Sequence, residues 1–417
     1  MVSQREKDVP MLSSQAYDIA IVGGGMVGLA TAIGLAQANL NVVVIDAQST
    51  QAVSGEPRLR VSAINKASQR LLEHLGAWHY LDASRATPYQ KMAVWDKDGF
   101  GKIAFDASSI SEPSLGAIIE NDAISYALAK RASEFDNITH IENQRIERIA
   151  FGEREAWLTL ANGTDAEIES VSAALVIAAD GANSWVREQC KIPLTFWDYG
   201  HHAIVATIRS EMPHLATARQ VFLLDGPLAF LPLYEENLCS IVWSVPPERA
   251  TELLEMTPEQ FERNLTAAFD GRLGICKLES ERHAFPLRMR YARHFARHRL
   301  VLAGDAAHTI HPLAGQGVNL GFLDAASIIE VIGELHDAGK DIGDYAQLRA
   351  LERWRKADAM EMIAAMEGFK RLFEGSNPLK KAIRDLGLNL VDNVAGLKTV
   401  FMQQAMGNKS SLPKLCR

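Results

Sequence analysis

One stretch, Tyr17 to Asp46, restricts the fold more than any other part of the chain. Residues 17–22 form a short apolar run that reads as a buried strand, leading straight into Gly23-Gly24-Gly25-Met26-Val27-Gly28. Small and apolar residues then recur at helical spacing over 29–38, and a second apolar run, 42–45, ends in Asp46. Strand, GxGxxG, helix, strand and acid in that order are the signature of a dinucleotide-binding βαβ unit. Gly23 allows the tight turn, Gly25 lets the backbone approach a pyrophosphate, and Gly28 lets helix and strand pack closely. Met26 and Val27 fall at the helix start, where backbone N–H groups face an anion. Asp46 is placed to accept hydrogen bonds from ribose hydroxyls. One such unit occurs in the chain, which leaves FAD and NAD both open at this point.

A second glycine-rich stretch, GDAAHTIHPLAGQGVNLGFLD, runs from Gly304 to Asp324 behind the apolar run 300–303. Strand, glycine turn and helix start again bring N–H groups and a positive helix end against a negative ligand. Asp305 cannot neutralise a phosphate, so at a strand end it is expected to accept from ribose-type hydroxyls. A third turn, Asp180-Gly181, closes the buried run 174–179. Two arginines, Arg58 and Arg60, follow the second strand of the βαβ unit at a distance from which a loop folds back over a pyrophosphate. Arg60 is expected to do so, while Arg58 reads equally well as a solvated surface residue.

Between these motifs the period changes. Residues 92–105 read as a hairpin around Asp98-Gly99, and 116–120 as a short strand followed by a helix that Asn121 caps. Meander strands are expected around 138–141, 147–151, 157–160 and 166–169, with Asn162-Gly163 as a turn. From 193 to 286 four alternating segments imply an antiparallel sheet with its own apolar face. Helices follow at 258–270, after Asp324 towards Ala338, at 345–373 and at 379–406. The last of these carries Lys380, Lys381, Arg384 and Lys398, a basic amphipathic pattern that suits a packed helix, a membrane surface or a partner.

The expected architecture is α/β in two domains: a Rossmann-like dinucleotide-binding domain, an inserted antiparallel β-sheet substrate domain, and C-terminal helices. Its division is a flexible lead over 1–15, cofactor-domain segments at 16–90, 106–192 and 291–340, a sheet hairpin at 91–105, the substrate domain at 193–290, and helices over 341–417. A length of 417 residues with 47% hydrophobic and 23% charged residues allows a substantial core. A net charge of −8 argues against a general nucleic-acid binder. Four widely spaced cysteines show no metal-ligand pattern, so no metal is expected, and reduced thiols fit a cytoplasmic setting. The first fifteen residues contain no secretory h-region, and no run approaches the length of a spanning helix.

GGGMVG at Gly23, ADGANS at Ala179 and GDAAHTIHPLAGQGVNLGFLDA at Gly304 together resemble the single-component flavin-dependent aromatic hydroxylases of the para-hydroxybenzoate hydroxylase type. Within that group HPLAGQGVNLGFLD is similar to the signature of the ubiquinone-biosynthesis hydroxylases. RVSAIN at Arg60, VWDKDGFGKIAFD at Val94, LTFWDYGHHAIVATIR at Leu194 and KDIGDYAQLRALER look like the bacterial 2-polyprenylphenol hydroxylases. The resemblance covers all but the N-terminal lead, and sister enzymes acting at other ring positions share the signature. It implies FAD contacts at Gly23, Gly25, Met26, Val27, Gly28, Asp46 and Arg60, and at Asp180 and Gly181, a pair shared between FAD and nicotinamide contacts. It further implies ribityl contact at Gly304 and Asp305, and a flavin-ring lining of Pro312, Gly315, Gln316, Gly317, Val318 and Asn319. Asp46 departs mildly from the Glu of many relatives; the shorter acid still accepts ribose hydrogen bonds.

The activity so implied is a monooxygenase. NAD(P)H reduces FAD, O₂ forms a C4a-hydroperoxyflavin, and one oxygen passes to the ring of a polyprenylphenol. The protein contributes positioning, electrostatics and a dry pocket. No catalytic base is evident; His308 and His311 are the candidates for activating the phenol, although His311-Pro312 equally well only shapes the turn. The partners implied are the prenylated phenol and O₂, with no nucleic acid; the basic C-terminal helices leave contact with a membrane or a biosynthetic complex open, and the sequence leaves the oligomeric state open. Two other readings stay open: a flavin-dependent reductase or oxidase of a prenyl or quinone substrate, and an FAD-bound scaffold of a biosynthetic assembly.

Overall fold

The computed structural model describes residues 14–50, 60–161, 170–310, 317–373, 398–399, 402–403, 406–409 and 411–417. Arg58, His311, Pro312, Gly315, Gln316, the Asn162-Gly163 turn, the strand expected at 166–169 and most of the helix expected at 379–406 lie outside them.

β1 (Ser14–Val22), α1 (Met26–Gln37) and β2 (Val42–Ile45) form the βαβ unit, with β1 beginning inside the expected lead. β1 and β2 pair in parallel, Ile19 opposite Val42 through Val22 opposite Ile45. α1 is buried continuously from Gly28 to Ala36, which is why it has no polar face. Its glycines set the approach of its neighbours: a Cβ on Gly34 would stand 2.3 Å from Ile329 Cδ1. β3 (Val61–Asn65) leads into α2 (Lys66–His74), whose first turn is capped by Asn65 accepting from the Ser68 N–H at 2.9 Å. β4 (Ala86–Tyr89), β5 (Lys91–Asp96), β6 (Lys102–Asp106) and β7 (Gly116–Glu120) precede α3 (Asn121–Ala132). Asn121 is the first helical residue rather than the cap, because its Oδ1 is taken by the Ser62 hydroxyl at 2.7 Å.

β8 (Ile138–Ile141), β9 (Ile146–Phe151), β10 (Ala156–Leu160), β11 (Ser170–Ala178) and α4 (Trp185–Gln189) complete the first half. β12 (Leu194–Ser210), β13 (Thr217–Leu223), β14 (Gly226–Pro232) and β15 (Leu238–Val245) follow. Next come α5 (Pro247–Glu255) and α6 (Pro258–Ala268), the latter started by a Thr257–Gln260 capping box. β16 (Cys276–Leu278), β17 (His283–Ala292), β18 (Ala296–Arg297), β19 (Leu300–Leu302) and β20 (His308–Thr309) lead to α7 (Gly317–Asp337) and α8 (Tyr345–Phe373).

These strands form three sheets. The first, of eight strands, runs β18-β19-β11-β1-β2-β8, with β10 and β9 added beside β11. The second has nine strands in the order β20-β17-β12-β15-β14-β13-β5-β6, with β16 beside β12. It is larger than four segments suggested, and it is not wholly antiparallel: β13 pairs with β5 in parallel, Thr217 opposite Lys91. That pair arises because the β5–β6 hairpin reaches this sheet from the early part of the chain. A third sheet, β3-β7-β4, lies apart from both. Only five residues separate β19, in the first sheet, from β20, in the second, so the Gly304 turn is the seam between the two layers.

Arg299 shows how the outer strands of the first sheet are anchored. It is 1% exposed, sits at φ +59°, and donates to the backbone carbonyls of Glu153 and Ala174 and to Asp341. Arg299→Met is expected to lower stability by about 3 kcal/mol, by stranding carbonyls it now satisfies. Thermal melting of the variant against the parent checks this.

Candidate cofactor site

Three turns meet at the carboxyl ends of the parallel strands, where open α/β sheets bind ligands. The Ala179 N–H donates to the Val22 carbonyl at 2.8 Å and the Ala303 N–H to the Ala178 carbonyl at 2.9 Å, lining up β1, β11 and β19. Gly23, at φ +104°, lies so close to the next turn that a Cβ there would be 2.5 Å from the Ala179 carbonyl oxygen. Val27 touches the third turn: its Cγ2 would be 3.1 Å from a Cβ on Gly304 and 2.7 Å from one on Gly321. Gly28 admits no side chain at all, since its Cβ would be 2.0 Å from the Gly23 carbonyl oxygen. The sequence motifs at Gly23, Asp180 and Gly304 are therefore one structure.

Space opens on the other side of these turns. A Cβ built on Gly25, Gly181 or Gly317 meets no atom of the described residues within 4 Å. Gly25 is the N-cap of α1 and provides no side-chain cap, so the first N–H groups of the helix face open space with its positive end. Asp46 ends β2 with Oδ2 accepting from the Gly24 N–H at 2.8 Å and Oδ1 from the Gln48 N–H at 3.0 Å. Each oxygen keeps a second lone pair for a ribose hydroxyl. Asp180 Oδ2 accepts from the Val186 N–H at 3.1 Å, while its Oδ1 is buried with no partner among the described residues. That oxygen is left available for a hydroxyl or N–H of a bound cofactor. Uncapped N–H groups, unpartnered carboxylate oxygens and glycines with nothing above them suit a dinucleotide carrying phosphates and hydroxyls, and FAD fits this set.

Asp305 opens to solvent at the cleft yet is ringed by protein, and that desolvation raises its carboxyl above the usual range, against the pull of His308, Arg290 and Arg60. Arg60 lies with its guanidinium 5.0 Å from the centre of the Phe285 ring, which brings it from the first half of the chain against β17. Met26 and Val318 are half-buried in the first turns of α1 and α7 and pack on the main core.

Two expected residues turn away from the cleft. Asn319 is 4% exposed; its Oδ1 accepts from the Asn65 N–H at 3.0 Å and its Nδ2 donates to the Ala63 carbonyl at 2.8 Å. Its side chain clamps α7 to β3, leaving only its backbone to line a flavin. His308 is 3% exposed, packs on Phe295 and donates through Nε2 to Asp324 Oδ2 at 2.6 Å. A ring so held positions the turn. His201, a weaker possibility, has both ring nitrogens on backbone carbonyls, those of Tyr199 and Asp225.

Sequence reasoning missed the side chains that bind the turns together. Arg187 is 6% exposed and joins two of them, donating to the Ala306 and Ala182 carbonyls at 2.9 Å each. Its signal was its place in the short helix directly after the Asp180-Gly181 turn. Asp324 accepts from the Gly304 N–H at 2.9 Å as well as from His308, and Arg355 Nε donates to its Oδ1 at 2.7 Å. Burial alone would raise the Asp324 carboxyl, but His308 and Arg355 outweigh it and hold it below the usual range. No motif signalled Arg355.

A family model described as an FAD binding domain matches residues 16–358. The 3-demethoxyubiquinol 3-hydroxylase of Escherichia coli (strain K12) is 36% identical over 95% of this chain and all of its own length. The ubiquinone hydroxylase UbiL of Rhodospirillum rubrum is 34% identical over 95% of this chain and 90% of its own. The mitochondrial ubiquinone biosynthesis monooxygenase COQ6 of Danio rerio is 32% identical, covering 96% and 92%. Among solved structures, the p-nitrophenol 4-monooxygenase PnpA of Pseudomonas putida DLL-E4 superposes with a TM-score of 0.77 at 20% identity, over 95% of this chain and all of that one. That likeness concerns the fold.

Proposed function

The chain belongs to the FAD-dependent ubiquinone-biosynthesis hydroxylases, and we propose that it hydroxylates the ring of a polyprenylated phenol with NAD(P)H and O₂ as co-substrates. The reaction balances as phenol, O₂, NAD(P)H and a proton giving hydroxylated ring, NAD(P)⁺ and water. Bound FAD supplies the redox chemistry that activates O₂ and delivers one oxygen atom. The observation that carries the reading is the convergence of three glycine turns on one open cleft, at the seam between the cofactor sheet and the second sheet.

The chain's own residues do the positioning. The start of α1 holds the pyrophosphate, and Asp46 and Asp305 accept from hydroxyls of the cofactor. The start of α7 at Gly317 directs a positive helix end at the flavin ring and favours negative charge there. The seam helps to keep water out: β20 pairs with β17, His308 opposite Tyr291, and the Ala292 N–H donates to the Ala307 carbonyl at 2.8 Å. No described helix is long and apolar enough to cross a membrane. Delivery of a prenylated substrate is assigned to contact between the basic C-terminal segment and a membrane or a carrier partner.

The substrate is tested with FAD-loaded protein, NAD(P)H and isotopically labelled O₂. A short-chain 2-prenylphenol and a short-chain demethoxyubiquinol are offered side by side. One labelled oxygen in the ring of the prenylphenol, seen by mass spectrometry, is the expected result. Labelling of the demethoxyubiquinol alone would move the reaction to the later ring position. NAD(P)H oxidation without any labelled product would overturn the hydroxylase reading in favour of a reductase or oxidase.

A further inference from the structure

We infer that Arg355, on α8 and outside every cofactor motif, is a positioning residue for FAD that acts through Asp324 on the Gly304–Asp305 turn. The inference rests on that turn carrying the cofactor.

Gly304 is the left-handed residue, at φ +59°, with which the chain leaves β19, and its N–H is held by Asp324 Oδ2 at 2.9 Å. The same oxygen takes the His308 Nε2–H at 2.6 Å, so one carboxylate grips both ends of the segment that presents Asp305. That carboxylate is 1% exposed. A buried charge keeps its place only while it is compensated. Arg355, 3% exposed, faces its other oxygen through Nε at 2.7 Å, while its Nη1 separately pairs with Asp358 on its own helix at 2.5 Å.

Without the guanidinium, Asp324 is left with only the Gly304 N–H and the His308 ring as its hydrogen-bond donors. It then takes up a proton or swings away, and in either case its grip on the Gly304 N–H weakens. α8 does not depend on this arginine for attachment. Glu352 accepts from the Phe295 N–H at 2.9 Å, Lys356 donates to the Arg293 carbonyl at 2.8 Å, and Leu348, Leu351, Ala359 and Ile363 are buried in the main core. Loss of the Arg355 charge is therefore felt at the turn, with the helix still in place.

The test uses the full chain, stripped of FAD and titrated with it by flavin fluorescence, alongside thermal melting of the stripped protein. Arg355→Met and the gentler Arg355→Gln are expected to raise the FAD dissociation constant by about 10- to 100-fold, the range typical when the group behind a ligating residue is removed. Arg355→Lys, which restores a charge opposite Asp324, is expected to recover to within about 5-fold. Asp358→Asn lowers the melting temperature of the stripped protein but leaves FAD affinity within about 3-fold, because Asp324 keeps its arginine. A cooperatively melting Arg355→Met or Arg355→Gln with the parent's affinity overturns the inference. So does an Asp358→Asn variant that loses FAD as severely as Arg355→Met, which would mark general loss of stability. Gly25→Val separates this failure from that of the site itself: if it loses FAD while Arg355→Met keeps it, the cofactor site stands and only the role of Arg355 falls.

Discussion

Gly25→Val is expected to give a folded protein that purifies without the yellow of bound flavin. Gly25 lies at φ −74°, where any residue is at ease, and a Cβ there meets no atom of the described residues within 4 Å. The variant therefore places its branched side chain in open space, and the stripped protein should melt close to the parent. The space it fills is the approach to the uncapped N–H groups of α1, which a pyrophosphate must reach to touch the backbone. Affinity for FAD should fall by about 1000-fold or more, some 4 kcal/mol. Visible absorbance per protein and fluorescence titration both measure it. Gly28→Ala makes the contrast: its Cβ would be 2.0 Å from the Gly23 carbonyl oxygen. Relief requires the turn and α1 to part, costing about 3 kcal/mol of fold stability. Two glycines three residues apart thus fail differently, one in binding and one in folding. A Gly25→Val protein that stays yellow sinks the site.

What was legible in the sequence follows from how local each cause is. The βαβ unit could be read because its strand, turn, helix and acid are adjacent, and each glycine answers to a contact a few residues away. The Gly304 motif was equally local. β17 was harder: Leu287, Met289 and Tyr291 are buried in alternation with Arg288 and Arg290, but Pro286 interrupts the pattern at the point where it begins. The hairpin at 91–106 was visible as a hairpin, while its parallel partner β13 was not, because nothing in either segment records a pairing over more than a hundred residues. The reading of His308 as a candidate for activating the phenol illustrates the same limit. A histidine in a glycine-rich motif looks available until Asp324 closes on it from the next helix. Arg355 looked like one charge among many on the polar side of a long helix. Its importance lies in a partner thirty-one residues away, across a helix break that periodicity does not bridge.

Asp324→Asn is expected to cost about 3–5 kcal/mol and to remove part of the acid dependence of stability. Asp324 accepts from three donors, the Gly304 N–H, His308 and Arg355, with 1% exposure. An asparagine has one acceptor oxygen and must turn its NH₂ towards His308 or Arg355, setting donor against donor in a buried site. The pH behaviour follows from the direction of the shift. The folded carboxyl is held below its ordinary 3.8, so its contribution is whole above about pH 5 and is lost as pH falls through the folded value. Asp305 has the opposite sign. The protein around it raises its carboxyl although one side opens to solvent, which screens the effect, so the ionised form weakly opposes folding above the ordinary value, and that opposition fades as pH falls through the raised one. In the parent the two partly offset each other on the acid side. The Asp324→Asn variant should lose the falling limb and keep the Asp305 contribution, so the two profiles run together from pH 6 to about pH 4, and below about pH 4 the parent declines more steeply than the variant. Urea unfolding of FAD-stripped protein from pH 6 down to about pH 2.5 measures both, and profiles that stay parallel below about pH 4 would show that Asp324 is not ionised in the fold.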